Sequence, residues 1–333
     1  MANDKRLPGP ILERIHETFL EPGSARYQAF DEIAAPEVIL GDHFIHMKDH
    51  LAGVTCKIEQ SLYLGKLIRS PGGRVLDLGS GCGFFACVMA ASGADSVIAV
   101  EPHQPFVRVA RFLAEEVFQV ENIEFVPTIE DVPPESVNAV TLINSISHVW
   151  QPLRMLLNLV QILKPHGLLL IEDNNNLESF LCRRKLKKTT WPGDRWDGDF
   201  RYRPMRVKRI RELGPGLADR QVEALADETY GMVYPEIERF VRHRLDTETA
   251  PFDTAYLKNR APANPEVVMY HENAFTVKEL EMLLFNAGLT PILSTPKYVF
   301  DFKRNPLVST IFKTFPKLSL KVSPGYEVLA AKR

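Results

Sequence analysis

The stretch Arg74-Val-Leu-Asp-Leu-Gly-Ser-Gly-Cys-Gly83 sets an acid, Asp77, and three glycines at alternate positions, Gly79, Gly81 and Gly83, between a short apolar run and a helix-like run, Phe84 to Ala91. Glycine permits positive φ and lets backbone N–H groups approach a ligand closely. The start of a helix adds unpaired N–H donors at the same point. A second acid, Glu101, stands 22 residues after Gly79, at the end of Ser96-Val-Ile-Ala-Val. In doubly wound folds a carboxylate there accepts hydrogen bonds from ribose hydroxyls. The chemistry implied is capture of an adenosine-containing ligand. The glycine spacing separates two versions of it: the dinucleotide fingerprint is G-x-G-x-x-G, and here the third glycine comes one residue early.

That phrase, Asp77-Leu-Gly-Ser-Gly-Cys-Gly83, resembles the first motif of the class I S-adenosylmethionine-dependent methyltransferases. The resemblance implies that Gly79, Ser80, Gly81 and Gly83 surround the methionine part of S-adenosylmethionine. Asp77 would lie beneath its amino group or orient the loop, Glu101 would hold the ribose, and Pro102 and His103 would flank the adenosine. After the third strand the family typically carries an acid near the adenine amino group; here Thr128 replaces it, leaving the Thr128 hydroxyl or the Ile129 backbone to serve. Asn144, at the end of the fourth strand, joins the cofactor contacts. Lys164-Pro-His-Gly167 is similar to the family's turn into strand five, with His166 at one glycine position. Phe275 to Leu289 is similar to its helix before a final hairpin, and Thr276 with Glu279 reads as a capping box. The implied product is S-adenosyl-L-homocysteine.

Methyl transfer from a sulfonium needs an aligned nucleophile and, for some acceptors, a base. His148, a few residues after strand four, is placed for that role, which suits histidine as a residue type; the plain alternative is a hydrogen-bonded histidine organising a helix start. Strand five ends Ile171-Glu-Asp-Asn-Asn-Asn176, at the edge where ligands bind in this architecture. Asp173 is the catalytic candidate there and Asn174 a substrate contact, against the alternative of a turn rich in local side-chain bonds. Trp191, Trp196, Tyr202 and Tyr230 could stack on a base or sugar, and His271 could close the pocket from the other side. His43, His46 and His50, with Asp42 and Asp49, fit no strong metal spacing, so no metal is expected. The four cysteines, Cys56, Cys82, Cys87 and Cys182, form no Cys-x-x-Cys pair; Cys82 reads as a small residue tolerated in the glycine loop.

Elements must position these residues. Strands are expected at 74–78, 96–101, 123–126, 138–144 and 167–172, and helices at 83–92, 104–119 and 151–164. This alternation predicts a parallel α/β sheet. With the resemblance, the fold class is α/β: a doubly wound, seven-stranded class I methyltransferase-like sheet. Residues 1–70 form a helical N-terminal lid, 71–172 the cofactor-binding core and 173–272 a substrate-recognition insertion after strand five. Residues 273–333 return to the core as a helix and a final hairpin, with strands near 292–300 and 326–331.

Composition sets bounds. The chain has 333 residues, 45% of them hydrophobic, and a net charge of −2, a globular profile. No apolar run approaches a membrane span, and the N-terminus shows no signal segment, so a cytoplasmic location is expected. Residues 183–211 hold twelve bases against three acids. That stretch would bind phosphate or carboxylate on a substrate, bind RNA, or form a solvated helix face. The expected function is methylation of an oxygen or nitrogen on a small polar or anionic molecule, a sugar-containing one among the candidates. RNA or protein methylation is the first alternative, and a non-catalytic S-adenosylmethionine-binding scaffold the second. Oligomeric state is left open.

Overall fold

A computed structural model describes residues 7–34, 47, 50–149, 151–174, 178–179, 202–232, 234–247, 249, 275–297, 310, 314–315, 319–321, 323 and 325–333. Trp191, Trp196, His271, His43, His46 and the basic residues 183–201 lie outside these. Three helices come first, α1 (Gly9–Leu20), α2 (Ala25–Ala34) and α3 (Leu51–Leu67). Then β1 (Arg74–Leu78), α4 (Phe84–Ala91), β2 (Ser96–Val100), α5 (Gln104–Phe112), β3 (Ile123–Val126), β4 (Val137–Ile143), α6 (Pro152–Ile162) and β5 (Leu163–Asn174) alternate. Three helices follow, α7 (Arg203–Leu213), α8 (Asp219–Glu228) and α9 (Tyr234–Thr247). The described chain then closes with α10 (Val277–Asn286), β6 (Leu289–Pro296) and β7 (Gly325–Lys332).

The seven strands form one sheet in the order β3-β2-β1-β4-β5-β7-β6. β1 to β5 pair in parallel, and β7 runs antiparallel between β5 and β6. Parallel strands buried on both faces are apolar at successive positions, as Val75-Leu76 in β1 and Ala139-Val140 in β4 are; Asp77 and Thr141 interrupt that run. One face packs Val75, Val97, Ala99, Ala139, Leu170 and Leu329 against helices α1 to α5. The other packs Leu76, Ile98, Val140, Leu169, Ile171 and Val328 against α6 and α10. Alternation along the strands therefore carries Asp77, Thr141, Glu172 and Glu327 to the α3 side, at the end of the sheet where β1, β4 and β5 finish.

The N-terminal helices are fixed to the glycine-loop helix by aromatic edges. Phe19 lies 5.0 Å from Phe30 and 6.2 Å from Phe84, which lies 5.5 Å from Phe118. At α10 the capping box forms as the sequence indicates: the Glu279 N–H donates to Thr276 Oγ1 at 3.1 Å, and the Thr276 N–H to Glu279 Oε2 at 2.8 Å. The helices α7, α8 and α9 bury a core of their own around Ile210, Val222, Leu225, Ile237 and Phe240.

Three elements differ from the sequence expectation by more than two residues at a boundary. The helix expected over 104–119 leaves α geometry at Phe112 and continues as a π-helical stretch, Leu113–Phe118. β6 starts and ends earlier than 292–300, because Gly288 stops α10 (φ +92°) and the chain enters the sheet at once. β5 begins at Leu163 rather than 167, through an irregular register against β4. Within that irregularity His166 takes φ +62°, the left-handed conformation that glycine adopts freely. A non-glycine residue there costs about 1–2 kcal/mol, partly offset by the extra chain entropy of glycine when unfolded. His166→Gly is accordingly expected to stabilise the fold by about 0.5–1 kcal/mol, read as a higher denaturant midpoint at unchanged slope.

Candidate active site

The glycine loop joins β1 to α4 and is built by its own backbone. Gly79, Gly81 and Gly83 all have positive φ (+71°, +53° and +72°). The N–H groups of Gly79 and Ser80 both donate to the Val100 carbonyl, at 2.9 and 3.1 Å, so the loop folds onto the end of β2. Two glycines are also required by packing. A Cβ on Gly79 would stand 2.8 Å from the Ser145 Cβ, and one on Gly83 would stand 2.6 Å from the Ala110 Cβ.

Glu101 lies across this loop. Its Oε2 accepts the Gly81 N–H at 3.0 Å and its Oε1 the His103 N–H at 2.9 Å, with only 5% of the residue exposed. Each carboxylate oxygen has a second lone pair, so acceptor capacity remains for two ribose hydroxyls. Among the described residues the Ser80 hydroxyl is buried with no hydrogen-bond partner. A buried orphan polar atom calls for an explanation, and a polar ligand against the loop supplies one. These two features fit the polar parts of S-adenosylmethionine. His103 caps α5 and sets its ring 5.9 Å from Phe106; Pro102 beside it is exposed. After β3, Thr128 Oγ1 accepts the Glu130 N–H at 3.3 Å, and the Ile129 side chain packs into the sheet's second face.

Asp77 is buried beneath the loop. Its Oδ1 accepts the Thr141 hydroxyl at 2.7 Å, tying β1 to β4. Burial raises its pKa to about 6, against the pull of Thr141 and Lys57. Burial likewise pushes the Cys82 and Cys87 thiols up, away from the reactive thiolate.

The turn after β4 carries His148. Asn144 leaves the strand at φ +50°, Ser145 Oγ donates to the Leu78 carbonyl at 3.0 Å, and Ile146–His148 form one 3₁₀ turn. Asp173 holds that turn from β5. It is fully buried and accepts the Ser147 N–H at 2.9 Å, the Ser147 hydroxyl at 3.2 Å and the Asn174 N–H at 2.7 Å. Burial still raises its pKa. With three donors on its two oxygens, this carboxylate organises the turn. His148 itself is exposed and close enough to Asp173 to interact with its charge. Asn174 is exposed at the strand end.

A second group of polar residues faces the same edge and was not among the sequence candidates. Glu172 is fully buried on the α3 side, where Gln60 Nε2 donates to both its oxygens at 2.8 Å and the Lys297 ammonium stands 2.7 Å from its Oε1. Its cross-strand neighbour Glu327 accepts the Tyr63 hydroxyl at 3.3 Å. Lys57, one turn before Gln60, is lowered in pKa by burial and coupled to Glu172 and Lys297. The signal was present in Lys57-Ile-Glu-Gln60-Ser-Leu-Tyr63, polar groups at three-residue spacing on a helix that must bury one face.

The insertion answers the charge question over its described half. Arg203 pairs with Glu223 and Asp227, Arg209 with Glu212 and Glu238, and Arg211 with Asp219. Arg206 is buried and donates to the Ala226 carbonyl, its guanidinium 5.7 Å from the Tyr230 ring centre. These four arginines hold α7 to its neighbours, which removes them from the set expected to meet phosphate. Tyr230 belongs to the same packing.

Comparison with known proteins gives one matching family model, that of a methyltransferase domain, over residues 57–215. A ubiquinone biosynthesis O-methyltransferase of Xanthomonas campestris pv. campestris is 34% identical over 115 residues, 34% of this chain and 48% of that protein. The chain thus spans about half the length of the curated relatives it matches. Among solved structures, an S-adenosylmethionine-dependent methyltransferase from Mesorhizobium loti aligns at 14% identity and TM-score 0.46, over 83% of this chain and 98% of that one. One from Aquifex aeolicus aligns at 14% and 0.42, over 83% and 90%.

Proposed function

We propose that the chain, whose residues 57–215 match the family model of a methyltransferase domain, methylates an oxygen or nitrogen of a small polar or anionic molecule, with S-adenosylmethionine as donor. The observation that carries this reading is the Glu101 carboxylate, held across the glycine loop with acceptor capacity left on both oxygens. The cofactor supplies, when bound, an electrophilic methyl group on a sulfonium. Glu101 would accept its ribose hydroxyls, and Ser80 with the loop N–H groups would meet its methionine end. His148 would take the proton that the acceptor atom releases as it gains the methyl group. Asp173, through Ser147, would keep His148 at the mouth of the site.

A small acceptor is preferred to RNA because the described arginines of α7 are taken up by internal ion pairs and by Arg206's burial. No helix among the described residues is long and apolar enough to cross a membrane. The test is calorimetric titration with S-adenosylhomocysteine, with NAD as contrast. Micromolar binding of the first alone supports the reading, and binding of NAD alone overturns it. Binding without transfer from labelled S-adenosylmethionine to any acceptor would favour the scaffold alternative.

A further inference from the structure

Lys297 reaches the active-site edge from the far side of the final hairpin. It directly follows β6, and its stem passes β7 where Gly325 leaves room. A Cβ on Gly325 would stand 2.4 Å from the Lys297 Cδ and 2.9 Å from its Cβ. The ammonium ends 2.7 Å from Glu172 Oε1 and 3.1 Å from Asn144 Oδ1. Asn144 is bound twice to the same neighbour set, since its N–H donates to the Glu172 carbonyl at 2.7 Å. Its left-handed backbone (φ +50°) persists only where the surroundings over-determine it, and Lys297 and Glu172 do so. Lys297 therefore fixes the residue at which β4 turns toward His148.

An ammonium carries three donors. Among the described residues two of them meet Glu172 and Asn144. The Lys297 side chain is 21% exposed, beside a Glu172 that is wholly enclosed. Burial works against its charge, but Glu172, then Asp173 and Glu327, hold its pKa above the ordinary lysine value. The site at the β4 and β5 ends thus keeps a fixed cation, anchored from behind by a carboxylate that Gln60 locks in place.

We propose that Lys297 is the acceptor-orienting residue, donating its third N–H to the oxygen that receives the methyl group and selecting acceptors whose hydroxyl ionises over amines. The inference rests on the methyltransferase reading and narrows its oxygen-or-nitrogen choice. A cation within about 4–6 Å of a hydroxyl lowers its pKa by roughly 1–3 units, while it repels a protonated amine. In the step, the acceptor O–H proton leaves to His148, the O–C bond forms as the sulfur–methyl bond breaks, and the products are a methyl ether or ester and a neutral thioether.

The test uses the full chain saturated with S-adenosylhomocysteine and 4-nitrophenol as probe, whose ionised form is coloured. Bound probe is expected to ionise about one pKa unit lower than free probe, to lose that shift in Lys297→Met and to keep most of it in Lys297→Arg, with S-adenosylhomocysteine affinity within threefold throughout. Should Lys297→Met leave Glu172 unpaired and fail to fold, Lys297→Met/Glu172→Gln removes both charges and is expected to lose the shift equally. A bound probe with its free pKa, a shift that survives in these variants, or no uptake of probe by the loaded protein overturns the inference while leaving the methyltransferase reading intact. Failure to bind S-adenosylhomocysteine, seen in the same titration, is failure of that underlying reading.

Discussion

Glu101→Gln is expected to weaken S-adenosylhomocysteine binding by on the order of 100-fold, about 2.8 kcal/mol at roughly 1.4 kcal/mol per tenfold. The substitution looks conservative and is not. In the free protein both carboxylate oxygens accept backbone donors, Gly81 N–H at 3.0 Å and His103 N–H at 2.9 Å. A glutamine brings one oxygen and one NH₂, so its NH₂ must face a backbone N–H, donor against donor. The ribose hydroxyls then lose a charged acceptor, and hydrogen bonds to charged groups are worth about 1.5–3 kcal/mol each. Glu101→Ala should lose as much binding, together with the cross-link between the glycine loop and the start of α5. Calorimetric affinity, with far-UV circular dichroism to confirm the fold, checks both. Unchanged affinity in either variant would place the ribose elsewhere.

The second large effect is on stability and its pH dependence, at Glu327. This carboxyl is 2% exposed on β7, opposite Glu172. Burial, and then the charge of Glu172, raise its pKa from 4.5 to about 8. An acid whose folded pKa is raised binds its proton more tightly in the folded state, so folding is favoured below about 4.5 and that advantage is lost as pH climbs through about 8. At about 1.36 kcal/mol per unit, the loss amounts to about 3–5 kcal/mol. Glu327→Gln mimics the protonated form and still offers an oxygen to Tyr63. The variant should match wild type near pH 4.5 and exceed it by about 3–5 kcal/mol at pH 9, with the difference growing between those limits. Denaturant titrations at several pH values read this directly. A difference that is flat with pH would mean that Glu327 is already ionised in the fold.

The sheet was legible because each parallel strand is a short apolar run closed by a turn signal, and because the glycine loop fixes which strand is first. β1, β3 and the start of β2 fall where the sequence places them. His166 was flagged as an odd residue at a glycine position, and its left-handed backbone is the physical content of that oddity. That Glu101 stands at the end of β2 beside the glycine loop was legible from its spacing after Gly79. The cluster of Lys57, Gln60, Glu172, Lys297 and Glu327 was not, because it gathers residues from four separate parts of the chain. A buried charge looks like a surface charge until the partner that neutralises it is known. The arginines of α7 failed in the opposite sense: counted as a run they suggest an anion site, yet their partners Glu223, Asp227, Glu238 and Asp219 come from α8 and α9. Local charge density cannot distinguish pairing across helices from a free basic face.

β7 sits between β5 and β6 although about 150 residues of chain separate Asn174 from Gly325. At a synthesis rate of about 5–20 residues per second, the nascent β5 waits on the order of 10–30 s for the strand that will cover it. During that interval Leu168-Leu-Leu-Ile171 is an open apolar edge, the kind of strand that templates aggregation. Glu172 and Asp173 follow it immediately and Lys164 precedes it, so the groups that later build the active-site edge also stand as charged gatekeepers while the ribosome is still at work.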